Sequence, residues 1–148
     1  MNLLFSIATI LSIGLMIGTE FAVWAFINPI LEKLDEPARR NAVRLFAEKL
    51  GRVMPFWYGA NFALLVIEAF LMRGYAAGLL GIALAIWAAV IVLTLIFLVP
   101  INNRLARKVS GLSPDQEHRQ HQRWDVLHRA RVVSLVVAFA LFLTALKR

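Results

Sequence analysis

Hydrophobic positions gather into four runs, residues 3–31, 54–72, 75–101 and a shorter one at 132–146, with polar segments between them. A hydrocarbon core about 30 Å thick needs roughly 20 apolar residues of helix. The first three runs reach or approach that length. The fourth has 15 residues and rises only about 22 Å at 1.5 Å per residue. A spanning helix that ends near Leu146 must therefore begin near Leu127 and draw His128, Arg129 and Arg131 to the membrane boundary. The predicted spans are 3–31, 54–72, 75–101 and 127–146. Only Arg73 and Gly74 separate the second span from the third, which makes them antiparallel neighbours. The sequence thus predicts an all-α integral membrane protein, an antiparallel four-helix bundle.

The connecting segments 32–53 and 102–126 also carry helical signals. Asp35 is placed to cap a helix with Pro37 in its first turn, and Val43, Phe46, Leu50 and Val53 form an apolar stripe that Arg39, Arg40 and Arg44 avoid. This predicts an amphipathic helix lying on the inner membrane surface. In the second segment Gly111 breaks the chain. Ser113-Pro114-Asp115-Gln116 then reads as a capping box, after which nothing interrupts a helix until the C-terminus. The fourth helix is expected to extend into the cytosol.

Composition removes the soluble alternatives: of 148 residues 60% are hydrophobic and 17% charged, with a mean hydropathy of +0.71. One membrane domain, residues 1–148, is expected, its first apolar stretch retained as a span. The chain has no cysteine, which excludes a disulfide scaffold, a thiolate metal site and a cysteine nucleophile. The net charge of +7 points to topology, not to nucleic acid. Thirteen of the 16 basic residues lie in 32–53 and 102–131, so the positive-inside rule puts those segments in the cytoplasm and both termini on the other side. Membrane lipid is the expected partner and nucleic acid is not.

Polar groups inside apolar spans are costly, so each is a candidate for function. Glu20 sits near mid-membrane, with Trp24 and Asn28 following on the same side of the helix. Trp57, Asn61, Leu64 and Glu68 share a stripe on the second span, Glu68 near enough to the outer end to snorkel. Pro100 removes a backbone donor where Asn102 and Asn103 are at hand to satisfy freed carbonyls. Trp124, His128 and Arg131 recur on one face of the fourth helix. By depth Asn28, Trp57, Asn61, Pro100–Arg104 and Trp124–Arg131 outline a crevice in the cytoplasmic third of the bundle, floored by Glu20. No Lys or Arg lies at Glu20's depth, so the sequence predicts an interior carboxyl without a cation partner. Ordinary explanations stand beside each reading: asparagines as glue between helices, tryptophans as packing or interface residues, arginines as topological signals. His118, His121, Asp125 and His128 share a helix face, but without a repeated ligand pair on another helix no metal site is expected.

The string Val99-Pro100-Ile101-Asn102-Asn103-Arg104-Leu105, followed by Arg123-Trp124 with His128 and Arg131, resembles the anthrone oxygenase-like family of small four-span membrane proteins. Gly14, Gly18, Glu20 and Pro29 in the first span agree in kind. The resemblance implies a bacterial inner-membrane protein that oxidises a polycyclic anthrone, or a quinol-like relative, with dioxygen and with no cofactor, neither metal nor flavin. It implies His128 as base, Arg131, Asn102 and Asn103 as donors to a developing oxyanion, and Trp124 and Trp57 as stacking walls. Asn61, Asn28 and Glu20 complete the expected substrate-binding set. Two other classes fit the same sequence. One is an accessory or assembly subunit that meets other membrane subunits, or its own copies, through Gly14, Gly18, Gly78 and Gly81. The other is a small transporter or proton relay that uses Glu20 and Glu68.

Overall fold

The computed structural model describes residues 3–105 and 113–147; the break expected at Gly111 lies outside them. Four helices, each long and apolar enough to cross a membrane, account for nearly all of the described chain. We number them α1 (Leu3–Leu31), α2 (Glu36–Leu71), α3 (Gly74–Arg104) and α4 (Pro114–Leu146). Each packs on its neighbour in sequence and α4 returns to α1, α3 against α4 being the most extensive contact. Large apolar side chains such as Leu11, Phe56, Phe70 and Val126 point outward, as a lipid-facing surface requires.

Two helices change pitch just before a proline. In α1 residues Val23–Ile27 form a π-turn, with the Asn28 N–H reaching back to the Val23 carbonyl, and Pro29 follows. In α3 residues Thr94–Leu98 do the same, with the Val99 N–H on the Thr94 carbonyl, and Pro100 follows. A proline inside a helix lacks a donor and its ring presses on the carbonyl four residues back. Widening the preceding turn relieves that contact and keeps the helix continuous. The Asn102 amide is not used for this repair: it donates across to the Ala47 carbonyl of α2 at 3.1 Å.

The amphipathic segment predicted to lie on the membrane surface is instead the first part of α2, which runs unbroken for 36 residues with Pro55 inside it. At about 54 Å it is longer than any bilayer core. Asp35 stands at its N-cap position without a side-chain capping bond. At the start of α4 the capping box is formed: Gln116 N–H donates to Ser113 Oγ at 3.3 Å and Ser113 N–H to Gln116 Oε1 at 2.9 Å.

The core is uneven along the bundle. In the half that holds the α2–α3 link, Ile13, Leu65, Leu80, Trp87, Leu135 and Phe142 pack as one cluster. Towards the opposite, basic end the helices diverge around a cavity.

Candidate functional site

A cavity of about 590 Å³ opens among all four helices at the basic end. Thr19, Glu20 and Val23 come from α1, the face from Ala47 to Gly59 from α2, Ile91 to Asn103 from α3, and Trp124, His128 and Arg131 from α4. Both π-turns border it, through Val23 and through Thr94, Leu95 and Leu98. Most of the wall is apolar, and on one side of it Glu20, Tyr58, His128 and Arg131 are joined by hydrogen bonds.

That side is organised by Glu20, which is 2% exposed. Its Oε2 accepts from Arg131 Nη2 at 2.6 Å and its Oε1 from the Tyr58 hydroxyl at 3.1 Å. The Arg131 guanidinium stands 5.5 Å over the Tyr58 ring, and Trp87 Nε1 donates to the Tyr58 carbonyl at 3.3 Å beneath it. Taking a carboxylate and a guanidinium out of water costs several kcal/mol per ion, and a short ion pair with further hydrogen bonds offsets it. The expectation that Glu20 lacks a cation partner is therefore corrected. Arg131 reaches Glu20 because α4 is packed into the bundle well before it, His121 already being buried.

His128 is also buried, and both its nitrogens are engaged. Nε2 lies 3.0 Å from the Glu20 backbone carbonyl. A carbonyl only accepts, so Nε2 carries the hydrogen and Nδ1 presents a lone pair. Arg131 Nη2 donates to that lone pair at 2.9 Å, with Glu20 Oε2 3.2 Å away. The imidazole thus holds the Glu20–Arg131 pair in place, and its face stacks on Trp124, centroids 4.6 Å apart at 10°. His121 lies on the other face of Trp124 at 6.1 Å. Trp124 and Asn102 also border a second cavity of about 50 Å³, otherwise lined mainly by aliphatic side chains with Phe46, Asn28 and His121.

Of the residues singled out from the sequence, Glu20, Asn102, Asn103, Trp124, His128 and Arg131 line the larger cavity. Asn28 lines the smaller one and donates to Asp125 at 2.7 Å; Asp125 in turn pairs with Arg129 at 2.6 Å. Trp57 and Asn61 lie elsewhere. Trp57 Nε1 donates to Ser12 Oγ at 3.2 Å, Ser12 donates to Asn61 Oδ1 at 2.6 Å, and Asn61 Nδ2 lies 3.3 Å from Met16 Sδ. The buried face of α2 is Tyr58, Asn61, Leu65 and Glu68, one position round from the predicted stripe at its first and third members. Tyr58 is the functional candidate that sequence reading missed. Helical spacing alone could not have found it, since a stripe through Tyr58, Asn61 and Glu68 fits the repeat no better than the one through Trp57. Glu68 does not snorkel; it is 0% exposed. The histidine face of α4 is dispersed, His118 pairing with Arg39 at 3.0 Å and Gln122 at 2.9 Å. Among the described residues no group of three or more His, Asp and Glu is placed to hold a metal.

What the arrangement offers is a fixed cation with a carboxylate beside it, set into the wall of an apolar chamber with a flat indole face. No curated protein and no solved structure matches the chain. The family model described as Anthrone oxygenase matches residues 43–141, which take in most of α2, all of α3 and α4 as far as Leu141. Tyr58, Asn102, Trp124, His128 and Arg131 all fall inside that match, and it covers well over half of the sequence: the chain belongs to the anthrone oxygenase family.

Proposed function

We propose that this membrane protein oxidises an apolar, anthrone-like aromatic with dioxygen inside the 590 Å³ cavity. The observation that carries the reading is the Arg131 guanidinium, tied to Glu20 at 2.6 Å on the wall of that cavity and flanked by the Trp124–His128 stack. A tricyclic ketone can lay its rings along Trp124 and direct its oxygen to the guanidinium hydrogens that Glu20 and His128 leave free.

An anthrone's ring-methylene protons are acidic because the carbanion delocalises onto the ketone oxygen as an enolate. Glu20 is the proton acceptor in this reading, with Arg131 stabilising the enolate oxygen as charge develops on it. His128, with both nitrogens engaged, positions the pair; this departs from its expected role as base. The carbanion gives an electron to dioxygen, and the two radicals combine into a C–O bond. Loss of the second methylene proton with cleavage of the O–O bond then yields the second ketone and one water. The carbon is oxidised by four electrons, and dioxygen takes up the same four. Asn102 and Asn103 border the same wall as further polar contacts, and the smaller cavity beyond Trp124 offers dioxygen an apolar berth. The basic end faces the cytoplasm in this reading, as the positive-inside rule requires.

The test is turnover in lipid nanodiscs. Purified protein mixed with an anthrone and then with oxygenated buffer should form anthraquinone, with one dioxygen consumed per molecule, faster than protein-free nanodiscs. Arg131→Lys keeps the charge and loses the planar fork, so the rate should fall by about 10- to 100-fold. A wild-type rate equal to the spontaneous one contradicts the proposal.

A further inference from the structure

The chemistry above uses the basic half of the bundle and leaves aside the most deeply buried carboxyl among the described residues. Glu68 is 0% exposed, and neither of its carboxyl oxygens has a hydrogen-bond partner among the described residues. Ser6, 3% exposed, has an unpartnered hydroxyl as well. The pairings of Glu20 with Tyr58, and of Met16 and Ser12 with Asn61, fix the antiparallel register of α1 on α2. Continued by two turns, the same register brings Ser6 and Thr9 to the level of Glu68. Thr9, 0% exposed, donates its hydroxyl hydrogen to the Phe5 carbonyl at 3.0 Å and so presents only lone pairs to its surroundings.

Among the described residues this collection of oxygens has too few hydrogens and no positive charge beside it. From α1 no titratable side chain faces it between Leu3 and Thr19. On α3 and α4 the titratable groups at this end, among the described residues, are Arg73, beside the start of α3, and Tyr75 and Lys147, all three exposed. An isolated carboxylate in such a place is expensive enough that it takes up a cation instead of standing alone. A leucine would pack there without that cost.

We infer that Glu68, with Ser6 and Thr9, forms a binding site for one small monovalent cation, a proton or a sodium ion, in the half of the bundle opposite the aromatic cavity. The site is independent of the oxygenase reading, and its occupant neutralises Glu68 within the α1–α2 seam.

Dicyclohexylcarbodiimide, an apolar reagent that partitions into membranes and adds to protonated carboxyls, tests this on the full-length wild-type protein in nanodiscs, read by peptide mass spectrometry. Modification at Glu68 is expected in sodium-free buffer at neutral pH, and a water-soluble carbodiimide should leave Glu68 unmodified. If the occupant is a proton, labelling falls as pH rises and does not respond to sodium. If it is sodium, millimolar sodium chloride slows labelling where potassium chloride does not, and Ser6→Ala weakens that protection. Absence of Glu68 labelling across the pH range in sodium-free buffer overturns the inference, as does equal labelling by the water-soluble reagent.

Discussion

Glu20 and Arg131 form a buried ion pair with the His128 and Tyr58 contacts around it. Removing one member of such a pair leaves the other charge buried and costs about 3–5 kcal/mol, whereas replacing both with apolar groups is often neutral. Glu20→Gln alone is therefore expected to lower thermal stability sharply, and Glu20→Leu with Arg131→Met to recover most of it while abolishing activity. A double-mutant cycle on the melting temperature in detergent checks this; additive effects would contradict the pairing. Gly51 supplies a second case. A Cβ there would stand 2.7 Å from Asn102 Nδ2, so Gly51→Ala must displace Asn102 from the Ala47 carbonyl. The expected cost is about 1–2 kcal/mol, measured by thermal unfolding, with turnover reduced. Glu20, Asn102, Trp124, His128 and Arg131 were legible in the sequence because a polar or ring-bearing side chain within an apolar span stands out. Tyr58 was not, since a tyrosine in a span looks like any interface aromatic until its neighbour across the bundle is known.

At the scale of elements, the spans, the capping box at Ser113 and the site of disturbance at Pro100 could all be read from the chain, because hydropathy and proline chemistry are local. The π-turns and the true face of α2 could not. Two stripes on α2, one through Trp57 and Leu64 and one through Tyr58 and Leu65, fit helical spacing equally well, and only packing against α1 decides between them. The 36-residue length of α2 was hidden for a related reason: amphipathic and apolar segments differ in composition, and a helix does not have to stop where composition changes. Pro100→Ala should restore the missing donor and let residues 94–98 relax towards regular α-helix, rotating Thr94, Leu95 and Leu98 relative to the cavity. Unchanged or slightly raised stability together with a several-fold loss of turnover is expected, and full activity would separate the π-turn from function. Calorimetry and the anthraquinone assay on one preparation measure both.

For the whole molecule, the fold follows from the bilayer. Helices must satisfy their own backbone groups, lipid-facing side chains must be apolar, and what remains polar is driven inward. Orientation in the membrane is expected from the basic residues, 13 of 16 lying in residues 32–53 and 102–131. Because the chain lacks cysteine, single cysteines at positions 2, 74 and 108 can be probed with an impermeant thiol reagent on intact cells. Labelling at 2 and 74 but not at 108 is expected, and the inverse pattern would reverse the orientation. The proposed oxidation takes place in the cavity between the four helices. Gly59 lines that cavity and a Cβ built there meets nothing within 4 Å, so Gly59→Phe adds a ring at the cavity's edge without a clash at its Cβ. The deciding measurement is the rate of anthraquinone formation by Gly59→Phe and wild-type protein in nanodiscs at matched folded fraction. A fall of about tenfold or more with melting temperature unchanged or raised is the predicted result, and a wild-type rate with that ring in place would contradict the account.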